Sequence, residues 1–162
     1  MTAAWPVTDG SFSLGDLDVE LGGTIQDAQL TWQAHGTLND ARDNVIVYPC
    51  RVLDPTEWFI IVPDMFSNGF SSSPSNTDDY PAAITMADNV RAQYRLLTEF
   101  FGVTRVAASY GFSMGGGQAY HWAALFPDAV ERIAVVCGAA RCAPHNQVFI
   151  EGVKHALMAD AA

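Results

Sequence analysis

Positive charge is scarce in this 162-residue sequence: Lys+Arg number 8 against 18 Asp+Glu, a formal net charge of -10. Such a chain repels the phosphate backbone on average, so nucleic acid and anionic membrane are set aside as partners. Cysteine is scarce too. Cys50, Cys137 and Cys142 are an odd number with no CxxC spacing and no histidine cluster beside them. That argues against a disulfide framework and a metal site, and leads us to expect reduced structural thiols in a cytoplasmic protein. No apolar run is long enough to cross a bilayer. The opening MTAAWPVTDG has neither the basic nor the apolar stretch of a signal peptide. What is present is a hydrophobic content of 49%, enough for the core of one domain over residues 1–162, and nothing in the sequence divides it.

The apolar pattern changes character along the chain. From Ala28 to His35 apolar and polar residues alternate, the mark of a half-buried antiparallel strand. Ser11 to Leu21 carries a weaker strand pattern, and Gly22-Gly23 offers a turn between the two, predicting a hairpin or meander. Beyond the break at Gly36-Thr37-Leu38-Asn39, Asn44–Tyr48 and Trp58–Val62 are continuous apolar runs, bounded by Pro49 and Pro63, of the kind found in a covered parallel sheet. The stretch from Ser67 to Asp79, SNGFSSSPSNTDD, is a loop by composition. Thr85 and Asp88 form a capping box for a helix running to Phe101, with Met86, Val90, Tyr94, Leu97 and Phe101 on one face and Gly102 as its stop. Arg132 to Cys137 reads as a further buried strand, and Asn146 to Asp160 as a last helix capped by Asn146. Strands alternating with helices after an antiparallel start predict an α/β fold: a mostly parallel central sheet, an amino-terminal hairpin and helices on both faces.

Between these elements, Arg105 to Pro127 reads RVAASYGFSMGGGQAYHWAALFP. Gly111-Phe112-Ser113-Met114-Gly115 is the G-x-S-x-G pattern of a nucleophile elbow, a serine held on a sharp strand-to-helix turn. Val106 to Tyr110 suits a buried strand, and Gly115 to Phe126 a helix stopped by Pro127. A turn this tight has no room for side chains two residues either side of the serine, which accounts for both glycines. The alternative is a glycine-rich turn in which Ser113 only caps the helix.

A serine hydroxyl attacks an acyl carbon only when a base takes its proton, so Ser113 requires a histidine oriented by a carboxylate. In elbow enzymes these follow the serine in the order acid, then histidine. Downstream acids are Asp128, Glu131, Glu151 and Asp160, and the histidines are His121, His145 and His155. None satisfies the need for base-to-nucleophile contact at about 3 Å. His121 lies two turns down the elbow helix and cannot curl back to its start. The backbone N–H of Met114 is the natural first oxyanion donor. The second would come from Cys50 or Arg51, because Pro49 has no N–H to give.

Four stretches, LTWQAHGTLNDARDNVIVYP, LDPTEWFIIVPDMFSNGFSSSPSNT, GFSMGGGQAYHWAALFPDAVERI and ARCAPHNQVFIEGVKHAL, together resemble the homoserine O-acetyltransferase family of α/β-hydrolase-fold proteins, which includes acetyltransferases and esterase-like hydrolases. The resemblance implies that Ser113 takes an acyl group, from acetyl-CoA in the transferases, and passes it to a small-molecule hydroxyl acceptor or to water. Phe112 and the run Tyr120-His121-Trp122 are more like the esterase-type relatives. It also implies an incomplete α/β-hydrolase fold without a lid domain, because the family's lid, last strands, triad Asp and triad His lie beyond the part matched here. The connection from Tyr48 to Leu53-Asp54-Pro55 is about twenty residues short by the same likeness. Three outcomes are therefore carried forward: an acetyltransferase, an esterase, and a catalytically inactive module. Arg132–Cys137, as an exposed sheet edge, predicts self-association.

Overall fold

The computed structural model describes residues 5–47 and 54–160. The amino-terminal hairpin is present, with β1 (Val7–Asp18) antiparallel to β2 (Thr24–His35). It turns through Gly22 and Gly23 at φ +92° and +100°, values glycine adopts without a Cβ penalty. β2 then pairs antiparallel with β4 (Phe59–Pro63), whose other side is parallel to β3 (Val45–Val47). β5 (Val106–Phe112) and β6 (Ile133–Val136) extend the parallel part, so the six strands lie in the order β1-β2-β4-β3-β5-β6. This is the mixed sheet expected from the sequence, and among the described residues β1 and β6 are its edges.

Strand alternation decides where the core lies. Ile25, Leu30, Trp32, Val45, Val47, Phe59 and Ile61 point to one face. There they meet Val90, Leu96 and Leu97 of the long helix and Trp122 of the elbow helix. The long helix, α1 (Met86–Arg95), and the elbow helix, α2 (Met114–Leu125), therefore share that face, with Tyr94 stacked on Phe126 at 3.9 Å between ring centroids. On the opposite face Ile46 and Ile60 are buried against Trp58, Ala108 and Tyr110, with no residue of either helix in the cluster.

The capping box of α1 forms as expected. Thr85 accepts from the Asp88 N–H and Asp88 accepts from the Thr85 N–H at 2.9 Å. Asp88 also accepts the Glu20 N–H at 2.8 Å, tying the hairpin to the start of the helix. Periodicity predicts an unbroken α-helix to Phe101, but the structure passes into a π turn over Leu96–Phe100 before Gly102 ends it at φ +62°. The wider turn lets two consecutive aromatics reach one cluster: Phe100 lies 5.6 Å from Trp32, and Phe101 lies 4.8 Å from Trp32 and 5.4 Å from Phe59.

The serine-rich loop is ordered by the sheet. β4 pairs only with Trp32 to His35 of β2, which leaves the earlier residues of β2 with open backbone groups. Ser72 fills part of that gap: its Oγ accepts the Gln29 N–H at 2.8 Å and its own N–H donates to the Gln29 carbonyl at 2.9 Å. Ser71 Oγ accepts the Thr31 N–H at 2.9 Å. Ser71, Ser72 and Ser73 are all buried, so the loop caps a sheet edge and fixes the Met65-Phe66 segment beside the elbow.

The last helix, α3 (Pro144–Ala159), departs from expectation in two ways. Its cap position is Ala143 with Pro144 in the first turn, where a missing N–H costs nothing. Asn146 sits inside the helix and donates to Cys142 Sγ at 3.4 Å. No residue of α3 is buried, and Val148, Phe149, Val153, Leu157 and Met158 are exposed.

Candidate active site

The turn between β5 and α2 is built from backbone constraints. A Cβ on Gly111 would lie 2.0 Å from the Gly115 carbonyl oxygen and 2.1 Å from its carbon, so no residue but glycine fits. Ser113 follows at φ 54°, ψ -114°, a strained conformation for a residue with a side chain, of the kind that clusters at functional sites. Its N–H donates to the Val136 carbonyl at 2.8 Å, and its carbonyl accepts from Gly116 and Gly117 at 3.0 and 3.3 Å. These bonds hold the turn to the end of β6. Gly116 and Gly138 allow the close approach, since a Cβ on Gly138 would lie 2.9 Å from the Gly116 Cα.

Although Ser113 occupies the N-cap position, its hydroxyl makes no capping bond. The alternative in which the serine merely caps the helix is therefore not what the structure contains. Ser113 and Met114 are both exposed, and the Met114 amide opens α2, where helix geometry gives it no intrahelical acceptor. The two groups stand at the mouth of a cleft of about 390 Å³. Val47, Pro63, Met65, Phe112 and Trp122 form its apolar walls.

One polar cluster interrupts those walls, and sequence reading missed it. Trp122 Nε1 donates to Gln93 Oε1 at 3.0 Å, and Gln93 Nε2 donates to Gln118 Oε1 at 2.6 Å. Both glutamines line the cleft and both are buried. Nearby Asn89 Oδ1 accepts the Phe66 N–H at 2.9 Å, pinning the segment that follows β4. The only sequence signal was the pair Asn89 and Gln93, spaced i,i+4 on a helix whose neighbouring positions are apolar.

The structure does not bring a predicted base or acid to Ser113. His121 Nδ1 bonds the Gly117 carbonyl at 2.8 Å on its own helix, and His155 Nδ1 bonds the Glu151 carbonyl at 2.7 Å on α3. His145 lies in the exposed first turn of α3. Glu131 pairs with Arg105 and Arg132, Glu151 with Lys154 at 3.4 Å, and Asp128 and Asp160 are exposed. Among the described residues no histidine bonds the Ser113 hydroxyl, and no cluster of three or more His, Cys, Asp or Glu could hold a metal ion. The segment with Pro49, Cys50 and Arg51, expected to supply the second oxyanion donor, lies outside the described residues. Cys137 and Cys142 were expected to be structural thiols; they are free and exposed, so neither supports the core. No helix among the described residues is long and apolar enough to cross a membrane.

Comparison with known proteins fits this geometry. The chain is 36% identical over 172 residues to the ethyl acetate hydrolase of Pseudomonas veronii, covering 93% of this chain and 49% of that protein. It is 29% identical over 182 residues to a homoserine O-acetyltransferase of Mesorhizobium japonicum, covering 89% and 46%. The solved structure of the acetyl esterase MekB superposes with a TM-score of 0.88 at 34% identity, over 96% of this chain and 51% of that one. The chain thus spans about half the length of the curated relatives it matches. The first alignment has 172 positions although only 93% of the 162 residues take part, so that relative carries residues within the matched stretch that this chain lacks. With residues 37–158 matching the alpha/beta hydrolase fold, and the elbow standing at the carboxyl end of β5, the chain belongs to the alpha/beta hydrolase family.

Proposed function

We propose that Ser113 is the acyl-accepting nucleophile of a carboxylic-ester hydrolase acting on small, uncharged acyl esters. The observation that carries this reading is the strained elbow, which holds an uncapped hydroxyl beside the Met114 amide, without an acceptor inside its own helix, at the mouth of an apolar cleft. In the first step Ser113 Oγ bonds to the acyl carbon and its proton goes to a base. The carbonyl oxygen becomes an oxyanion that the Met114 N–H stabilises. Collapse expels the alcohol, which takes a proton, and leaves an acyl-serine. Water then attacks that ester and releases the acid.

An esterase is placed first because the ethyl acetate hydrolase matches at 36% identity over 93% of this chain, whereas a homoserine O-acetyltransferase of Zymomonas mobilis reaches 35% over only 68% of it. The second reading keeps Ser113 and Met114, takes acetyl-CoA as co-substrate rather than bound cofactor, and gives the acetyl group to a hydroxyl acceptor. It is supported by the elbow and serine-loop segments, which resemble that family. Among the described residues no histidine bonds Ser113, so under either reading we expect the 162-residue chain to work slowly. Removing triad members from a complete serine enzyme leaves roughly 10³–10⁴-fold over water, and this chain falls at or below that level. A third reading, an inactive module, is favoured by the absence of any histidine bonded to Ser113 among the described residues. A cytoplasmic location fits the two free thiols, Cys137 and Cys142.

Mass spectrometry after exposure to p-nitrophenyl acetate tests the proposal. We expect an acetyl group on the peptide containing Ser113, and none in Ser113→Ala. Folded protein that takes up no acetyl group at Ser113 would leave the inactive module standing. Acetyl-CoA in place of the ester separates the first two readings, because only a transferase is acylated by it at a comparable rate.

A further inference from the structure

The cleft beside Ser113 carries a directional relay whose end is unsatisfied. An indole N–H can only donate, so the Trp122–Gln93 bond fixes the Gln93 side chain with its oxygen toward Trp122. The Gln93 amide nitrogen must then face Gln118, and Gln118 must answer with its oxygen. The orientation of two amides, normally a matter of assignment, is thus set by one donor-only group. The consequence falls on Gln118 Nε2. It has no hydrogen-bond partner among the described residues, on a side chain only 8% exposed that lines the cleft. Among the described residues Trp32 Nε1 is the one fully buried side-chain polar atom without a partner; Gln118 Nε2 therefore keeps some exposure, and its side chain lines the cleft.

We infer that Gln118 is a specificity-determining residue, donating from Nε2 to a second oxygen on the acyl group whose carbonyl meets Ser113. The inference rests on the acyl-serine reading and deepens it by naming the acyl class. Gln118 lies on α2 five positions after Ser113, the residue that precedes the helix, an axial rise of about 7.5 Å. Both residues line the same cleft and helical side chains lean back toward the amino terminus, so we take the gap as one that two or three carbons span. The acyl group that fits carries a ketone or hydroxyl oxygen two or three carbons beyond its reacting carbonyl. A plain acetyl group is accepted but leaves Nε2 unpaired.

Equilibrium binding of two amides that cannot be turned over, N-methyl-4-oxopentanamide and N-methylpentanamide, tests this. The pair differs by one ketone. The wild-type chain binds the oxo compound about three- to tenfold more tightly, the range of one net hydrogen bond, and the Gln118 side-chain NH2 resonances move on binding it. Gln118→Glu keeps an acceptor for Gln93 and removes the donor, so it reverses the preference at neutral pH; Gln118→Met abolishes it. Equal affinities in the wild type, unmoved Gln118 resonances, or a preference that survives in a folded Gln118→Glu would overturn the inference. Because no acyl transfer is involved, such a result leaves the acetylation of Ser113 as a separate question.

Discussion

Replacing Gly111 by alanine probes the constraint that shapes the elbow. The new Cβ would meet the Gly115 carbonyl oxygen at 2.0 Å, its carbon at 2.1 Å and the Gly116 nitrogen at 2.5 Å, all of them backbone. Ordinary contact distance is more than an ångström longer, and no side chain can swing away. The strain must enter either the β5–β6 pairing, where Gly111 faces Val135, or the first turn of α2. Overpacking where neighbours can adjust costs about 1–3 kcal/mol, and this site belongs at or above the top of that range. With a urea slope of about 1–3 kcal/mol/M for a small protein, a loss of ~3 kcal/mol lowers the midpoint by roughly 1–3 M. Gly117→Ala is the control. Its Cβ meets only Met86 Sδ at 2.7 Å and Cε at 3.1 Å, the end of a flexible side chain, and removing a helix-interior glycine gains up to about 1 kcal/mol. Urea titrations followed by tryptophan fluorescence compare the pair. A Gly111→Ala variant that unfolds at the wild-type midpoint and still acetylates at Ser113 would refute the close-approach constraint.

The Arg95–Glu99 pair gives a small, pH-dependent contribution. A hydrogen bond from Arg95 at 2.8 Å holds the Glu99 carboxyl below its ordinary value of 4.5 against the opposing effect of desolvation. A depressed carboxyl stabilises above its unfolded pKa and loses that contribution as pH falls through the folded one. For an exposed i,i+4 pair, Glu99→Gln should cost about 0.2–0.5 kcal/mol near neutrality and nothing once the carboxyl is protonated. Urea midpoints at neutral and acid pH check this, and a cost that persists in acid counts against the pairing. Self-association is a further expectation, since β6 is an edge strand among the described residues and α3 exposes Phe149, Val153 and Leu157. Sedimentation at rising concentration should show dimers that Val136→Lys weakens; a monomer throughout would refute the expectation.

Much of the fold was legible because it is written in local signals. Alternation in Ala28–His35, the Thr85–Asp88 box and the glycine spacing around Ser113 each fix geometry within a few residues. What was not legible depends on partners far apart in sequence. The π turn at Leu96–Phe100 answers to aromatic partners on β1, β2 and β4. The buried serines of the loop answer to open amides on β2, which composition reads only as a flexible connection. Gln93 and Gln118 stand 25 residues apart and meet only because α1 and α2 pack on one face. Asn146 had the chemistry of a cap, but Pro144 starts the helix two residues earlier. For the site, the sequence marked Ser113 and the Met114 amide, which the structure sets at one cleft. It could not reveal that the hydroxyl is uncapped or that a donor waits inside the cleft.

We propose that the fold itself poises Ser113 for acylation, while among the described residues no histidine bonds its hydroxyl. The pH dependence of Ser113 acetylation by p-nitrophenyl acetate, followed by mass spectrometry on the 162-residue chain, tests both halves at once. A hydroxyl without a histidine base reacts through its small alkoxide fraction, so the rate should rise about tenfold per pH unit from mild acid to mild base without levelling. A rate that levels off above an inflection in the histidine range, about pH 6.5, would reveal a base in contact with Ser113. Acetyl groups found only at other residues would contradict the claim altogether.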